Sequence, residues 1–273
     1  MAKDVWRRSN CDSIILLLQQ TIRSTNPLVK FGISPFGVWR NKSSDPMGSE
    51  TRAGQTNYDD LYADILLWLE KGWIDYVVPQ LYWEKGHKLA DYDVLLKWWN
   101  EHSYGKHLYI GHGFYRAGSN EAWKDKNQIP DQIKDLRLYN TTQGSVYYNS
   151  NSFNKNPNGW NDTLRNNYYR YPALIPPMSW INNVKPEQPT IEKTSTGVYK
   201  IIHKGSTQLK GFAVFQEIKS GNAELIYNQL IHLLVAENTT ILDIQKLAIE
   251  KGKKIYIASV DKSNNISPLV LVQ

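Results

Sequence analysis

A single cysteine, Cys11, leaves this chain without an intramolecular disulfide and without a thiolate framework for a metal. Its place at the start of an apolar helical stretch points to simple burial. No apolar run approaches the roughly 18 residues of a membrane span, and the opening Met1 to Trp6 lacks the apolar core of a signal peptide. Neither a membrane span nor an export address is read from the residues. Positive charge exceeds negative, at a net +6, but the basic residues are scattered. Lys251, Lys253 and Lys254 form the one tight cluster, in an expected solvated turn, so nucleic-acid binding has no support. Histidines with metal-ligand spacing and a Ser/His/Asp constellation are missing too. Gly111 and Gly113 do not match a phosphate loop, since His112 and aromatics fill the gaps, and close backbone packing explains them better. Neither a metal nor a cofactor is expected.

Aromatic residues, by contrast, are plentiful: they make up 12% of the 273 residues, with ten Trp and seventeen Tyr. Flat rings in that number serve either as platforms for sugar faces or as a Tyr/Trp-rich core. The stretch from Trp73 to Glu84 bears on the choice. Residues 74–78 are β-formers, Pro79 is expected to stop ladder pairing, and Gln80, Tyr82, Trp83 and Glu84 emerge at the strand's C-terminal end. An α/β barrel active site is built from such strand ends, and this one points to carbohydrate chemistry.

Around that stretch, helical and strand patterns alternate. Helices are predicted at 13–23, with Asn10, Asp12 or Ser13 as N-cap, and at 58–71, 92–102 and 130–139. Strands are predicted at 29–33, 74–82, 108–110 and 145–148, with the unusual side chains after each strand. Such alternation implies parallel strands with right-handed crossovers, and the length allows one (β/α)8 barrel. Residues 186–189 read as a linker. Beyond about 190, segments 198–203, 211–216, 240–243 and 254–260 suggest a small antiparallel sandwich, while 222–235 is compatible with a helix.

Five stretches carry a resemblance: Trp6-Arg7-Arg8-Ser9-Asn10, Phe31 to Asn41, Pro79-Gln80-Leu81-Tyr82-Trp83, Leu108-Tyr109-Ile110-Gly111 and Pro176-Pro177-Met178-Ser179-Trp180. In this order they resemble the glycosyl hydrolase-like 10 family of bacterial envelope proteins. The resemblance implies an α/β fold in which residues 1–185 form part of a (β/α)8 barrel and 190–273 a fibronectin type III-like β-sandwich. It also implies glycosidic-bond hydrolysis, in some members on peptidoglycan strands, and a cell-envelope or secreted location. By the family's layout the strands near 29, 74, 107 and 145 are the fifth to eighth, and the acidic strand motif of the first half has no counterpart here. The expectation is a C-terminal half-barrel with two free edges and an apolar inner face, truncated, split or adapted. Its expected partners are a glycan and either the missing N-terminal half-barrel or a second copy of the chain.

Hydrolysis of a glycoside needs two carboxyl groups. Glu84, beside Tyr82, Trp83 and His87, is the candidate acid/base; an ordinary solvated loop is the alternative. Tyr76, Val78, Gln80 and Tyr82 share one strand face, so Gln80 holds a sugar hydroxyl, fixes a carboxylate or is a satisfied buried amide. Ser34, Trp39, Arg40 and Asn41 follow the strand before it, His112 and Tyr115 the strand after it, and Asn149 the last. All are candidate substrate-binding residues, with structural roles for Arg40 and His112 as the alternatives. Asp59 and Asp60 suit a helix N-terminus, Asp91 a cap, and Asp75 lies at the wrong strand end for chemistry.

Overall fold

The computed structural model describes residues 1–219, 226–237, 239–250 and 252–272, which divide into two compact units, Met1–Tyr168 and Tyr169–Gln273. Residues 169–185 group with the second unit, where Leu174 packs against Ala213, Phe215 and Val260, so the division falls before the expected linker.

In the first unit, helices α1 (Lys3–Thr25), α2 (Ile65–Glu70), α3 (Tyr92–Glu101) and α4 (Gln128–Leu136) alternate with strands β1 (Gly32–Ile33), β2 (Tyr76–Val77), β3 (His107–Gly113) and β4 (Thr142–Tyr148). The strands form one sheet in chain order, every neighbouring pair parallel. Two short helices, α5 (Ser150–Asn154) and α6 (Trp160–Thr163), follow.

Helix α3 illustrates how pattern becomes packing. Asp91 caps it by accepting from Asp93 N at 2.9 Å, and Tyr92, Leu95, Leu96 and Trp99 recur at helical spacing and are buried. Several of the large buried rings also find a partner for their polar atom. Trp99 Nε1 donates to Gly37 O at 2.8 Å, Tyr92 Oη to Gln132 O at 3.1 Å and Trp160 Nε1 to Lys126 O at 2.9 Å. Trp39, Trp68, Trp98, Trp99, Trp123 and Trp160 are all buried, so the tryptophan richness serves the core first.

Several predicted boundaries shift. Helix α1 starts ten residues before the predicted start and is capped by none of the expected residues; Asp12 instead accepts from Trp68 Nε1 at 2.6 Å. Cys11 is only half-buried against the core. Helix α2 begins at Ile65 because the preceding residues serve a loop. Asn57 donates to Phe36 O, Asp60 accepts from Thr56 N, Asp59 pairs with Arg40, and Tyr62 turns left-handed at φ 55°. Asp75 is buried at the N-terminal end of β2, where Arg23 grips it at 2.5 and 2.7 Å.

One sheet face packs on the helices through Ile33, Val77, Leu108 and Ile110. On the other, Val146 and Tyr148 remain exposed, and Tyr76 lies over Gly32, where a Cβ would meet its ring at 2.5 Å. Helix α1 likewise exposes Ile14, Leu17 and Leu18.

The second unit contains two antiparallel sheets. One has the order β5-β6-β9, from β5 (Thr190–Ser195), β6 (Val198–Ile202) and β9 (Thr240–Asp243). The other has the order β11-β10-β7-β8, from β7 (Leu209–Lys219), β8 (Ile226–Val235), β10 (Ile255–Asp261) and β11 (Val270–Leu271). Tyr199, Ile201 and Leu242 of the first share a core with Phe212, Val214, Ile255 and Ile257 of the second. Residues 226–235 are therefore strand, not the helix that composition allows, because pairing with β7 overrides local propensity. Residues 222–225 of that expected helix lie outside the described residues.

Candidate functional site

Proline 79 does not end the β2 ladder. It lacks only the donor, and its carbonyl accepts from Gly111 N at 2.9 Å while Gln80 N donates to Pro35 O at 3.0 Å. Gln80 consequently bridges Phe36 on one side and Gly111 on the other. Continued pairing carries residues 80–83 to the C-terminal end of the sheet in register. Glycines permit the close approach: a Cβ at Gly111 would lie 3.0 Å from Pro79 O, and one at Gly113 would lie 3.2 Å from the Tyr82 side chain.

At that end lies a cleft of about 550 Å³ lined by Phe36, Gln80, Tyr82, Trp83, Tyr115, Arg116 and Tyr148. Three tyrosines form its aromatic centre, with ring centroids 5.8 Å apart for Tyr82 and Tyr115, 5.9 Å for Tyr82 and Tyr148, and 5.8 Å for Tyr115 and Tyr148. Phe36 meets Trp83 edge to face at 5.3 Å. Burial, reinforced by Tyr115 and Tyr148, pushes the Tyr82 hydroxyl up to about 12, so it is a neutral donor at any physiological pH. Gln80 Nε2 donates to Ser34 O at 3.1 Å, which fixes the amide in orientation.

Of the residues anticipated from sequence, Gln80, Tyr82, Trp83 and Tyr115 line this cleft. The others are held elsewhere. Ser34 donates its hydroxyl to Val78 O at 2.9 Å. Trp39 is buried, stacked on Trp98 at 6.0 Å. Arg40 is gripped by Asp59 and Asp45, each at 2.8 Å, and covers the Tyr58 ring. Asn41 staples its loop, donating to Ala53 O and accepting from Ala53 N and Thr51 Oγ1, each at 2.9 Å. Asn149 caps α5 by accepting from Ser152 N at 3.0 Å. Phe36, Arg116 and Tyr148 escaped the sequence reading. Tyr148 was accessible by parity, since it shares a strand face with Val146, the other exposed β4 side chain.

His112 faces the helices. It is fully buried between the Tyr92 and Tyr147 rings, bonded to Gln132 Oε1 at 2.9 Å and Ser145 Oγ at 3.2 Å. Burial, only partly opposed by Gln132, lowers its pKa to about 4, so the ring is neutral. Both ring nitrogens are thus engaged by neutral partners on the helix side of the sheet.

Glu84 is buried, 8% exposed, but Tyr82 and Trp83 are not what surrounds its carboxylate. Oε1 accepts from Asn120 Nδ2 and Oε2 from Trp123 Nε1, both at 2.9 Å, and Asn120 Oδ1 in turn accepts from Trp123 N at 3.0 Å. Both oxygens are thereby committed to the segment after β3, the one that presents Tyr115 and Arg116. Neutral hydrogen bonds to a buried carboxylate are strong positioning contacts. The arrangement makes Glu84 a clasp between two loops. Among the described residues no group of His, Cys, Asp and Glu could hold a metal ion, and no helix is long and apolar enough to cross a membrane.

Comparison with known proteins sets this geometry in context. The family model for glycosyl hydrolase-like 10 matches residues 2–136. The chain is similar to glycosyl hydrolase YngK of Bacillus subtilis, 44% identical over 196 residues that make up 70% of this chain and 38% of that protein. It is also similar to glycosyl hydrolase DigH of Escherichia coli, 40% identical over 163 residues, 56% of this chain and 37% of that one. The chain thus spans well under half the length of these relatives. The matched region includes β1 to β3 and the cleft residues Phe36, Gln80, Tyr82, Trp83, Tyr115 and Arg116. Through residues 2–136, the chain belongs to the glycosyl hydrolase-like 10 family.

Proposed function

We propose that this chain forms one wall of a glycan-binding cleft in a glycosidase-like protein acting on bacterial glycan, with peptidoglycan strands as the substrate class. The observation that carries the reading is the Tyr82, Tyr115 and Tyr148 cluster at the C-terminal strand ends, flanked by Gln80 and Trp83. Sugar rings stack on such faces, and a few fixed polar groups select the hydroxyls. In this reading the four parallel strands are the C-terminal half of a (β/α)8 barrel, and the second unit is a fibronectin type III-like sandwich.

The cleft lining contains no carboxylate, and Glu84 is spent on Asn120 and Trp123. Hydrolysis needs two carboxyl groups, so this wall supplies binding and orientation while the carboxyl pair comes from outside it. That favours carbohydrate binding as the activity of the chain by itself. The test is to titrate the purified chain with peptide-free glycan strands and to assay reducing-end release in parallel. Binding without turnover is expected. Robust turnover would overturn the division of labour, and absence of binding would overturn the glycan reading.

A further inference from the structure

Arg116 differs from the other arginines. Arg7, Arg23, Arg40 and Arg165 pair with carboxylates, Arg8, Arg52 and Arg137 donate to carbonyls, and Arg170 lies over Tyr171. Among the described residues, Arg116 is the arginine whose side chain makes no hydrogen bond, ion pair or ring contact, and its Nε is buried without a partner. It reaches the cleft because β3 ends in glycine. A Cβ at Gly113 would stand 3.1 Å from Arg116 Cγ and 3.2 Å from Tyr82 Cβ, so the missing side chain lets the arginine stem lie on the strand end beside Tyr82. The walls around it are aromatic or amide, namely Phe36, Gln80, Tyr82, Trp83, Tyr115 and Tyr148, and no acid among them neutralises it.

A permanently charged guanidinium in a cleft lining that holds no acid is poorly stabilised until an oxyanion arrives. Resting on the glycan reading above, we propose that Arg116 makes this cleft selective for a sugar that carries a carboxylate. The carboxylate docks on the guanidinium while the sugar ring stacks against the tyrosines. One guanidinium, with no lysine and no second arginine in the lining, suits a planar monoanion better than a phosphate dianion. A carboxylate on a sugar has two chemical sources, a lactyl ether or a uronic acid, and the probes separate them.

The experiment titrates the full chain with two matched pairs, N-acetylmuramic acid against N-acetylglucosamine and glucuronic acid against glucose, followed by NMR. The acidic member of at least one pair is expected to bind about tenfold tighter or more, as charge-assisted hydrogen bonding predicts. The pair that shows the preference names the source. In Arg116→Gln the acidic sugar falls to the level of its neutral partner, whose residual binding reports an intact cleft. Arg116→Lys, a point charge without the fork, keeps part of the preference. Equal binding of acidic and neutral sugars by the unmodified chain overturns the proposal, as does a preference that survives Arg116→Gln. Failure of all four sugars to bind would instead remove the glycan reading on which it rests.

Discussion

Trp123 Nε1 donates to Glu84 Oε2 at 2.9 Å across 39 residues of chain, tying the loop after β2 to the loop after β3. Asn120 completes the clasp on the other oxygen. The two loops that bring Tyr82 and Tyr115 together are therefore held by a carboxylate that itself stands apart from the cleft lining.

Removing that clasp is expected to cost stability. Glu84→Ala leaves the Trp123 and Asn120 donors buried without an acceptor, a loss of about 2–4 kcal/mol. Glu84→Gln keeps the shape but offers an NH2 group to one of the two donors, and costs about 1–3 kcal/mol. Urea unfolding followed by tryptophan fluorescence measures both; a loss below about 0.5 kcal/mol for Glu84→Ala would contradict the clasp.

The buried His112 ring links stability to pH. Its folded pKa of about 4 lies below the ordinary histidine value of 6.5, so the unfolded chain binds the extra proton between those limits. Stability from this group is complete above pH 6.5 and is lost as pH falls toward 4, by up to about 3 kcal/mol. Unfolding free energies of His112→Gln across that window should have a visibly shallower slope than those of the unmodified chain. Parallel slopes would exclude His112 as the source.

Tyr115 and Tyr148 are each about half exposed, at 49% and 53%, so their rings are available to a ligand. Tyr115→Ala and Tyr148→Ala are each expected to weaken glycan binding by about fivefold to tenfold, while thermal unfolding moves little. Calorimetric titration with glycan strands, beside a melting curve, separates the two effects. A large stability loss with unchanged affinity would recast the rings as packing.

Gly37 lies beneath Trp83: a Cβ there would sit 2.5 Å from the indole and 2.6 Å from Gln80 O. Gly37→Ala forces the indole or the strand end to move, at a cost of about 1–3 kcal/mol, and should also lower glycan affinity. Unchanged affinity in a destabilised variant would place Trp83 outside the binding surface.

Arg40 gives the opposite expectation. Gln in its place leaves Asp45 and Asp59 without their cation and costs about 1–2 kcal/mol of stability, discounted for partial exposure. Glycan affinity should be unaffected. A selective loss of affinity, measured by the same titration, would return Arg40 to the cleft.

Much of the architecture was legible because its signals are local. Tyr92, Leu95, Leu96 and Trp99 announce α3 by spacing alone, Asp91 announces its cap, and the Pro79 to Trp83 motif marks both the strand end and the family. Segment 226–235 misled for the complementary reason: its residues suit a helix, and only pairing with β7 makes them a strand.

The candidate residues followed the same divide. Tyr82 and Tyr115 could be named from sequence because strand ends deliver side chains to a mouth, whatever surrounds them. His112 could not be placed, since a shift of one residue along a strand moves a side chain from the open face to the helix face. Glu84 and Arg40 depended on partners distant in the chain, Trp123 at 39 residues and Asp59 at 19, which no local pattern encodes. Chain-local chemistry was thus enough for the family, the alternation of strand and helix and the aromatic character of the cleft. Which charges are spent on neighbours, and that Arg116 is left unspent, was decided by tertiary packing, because long-range contacts alone determine what a charged group meets.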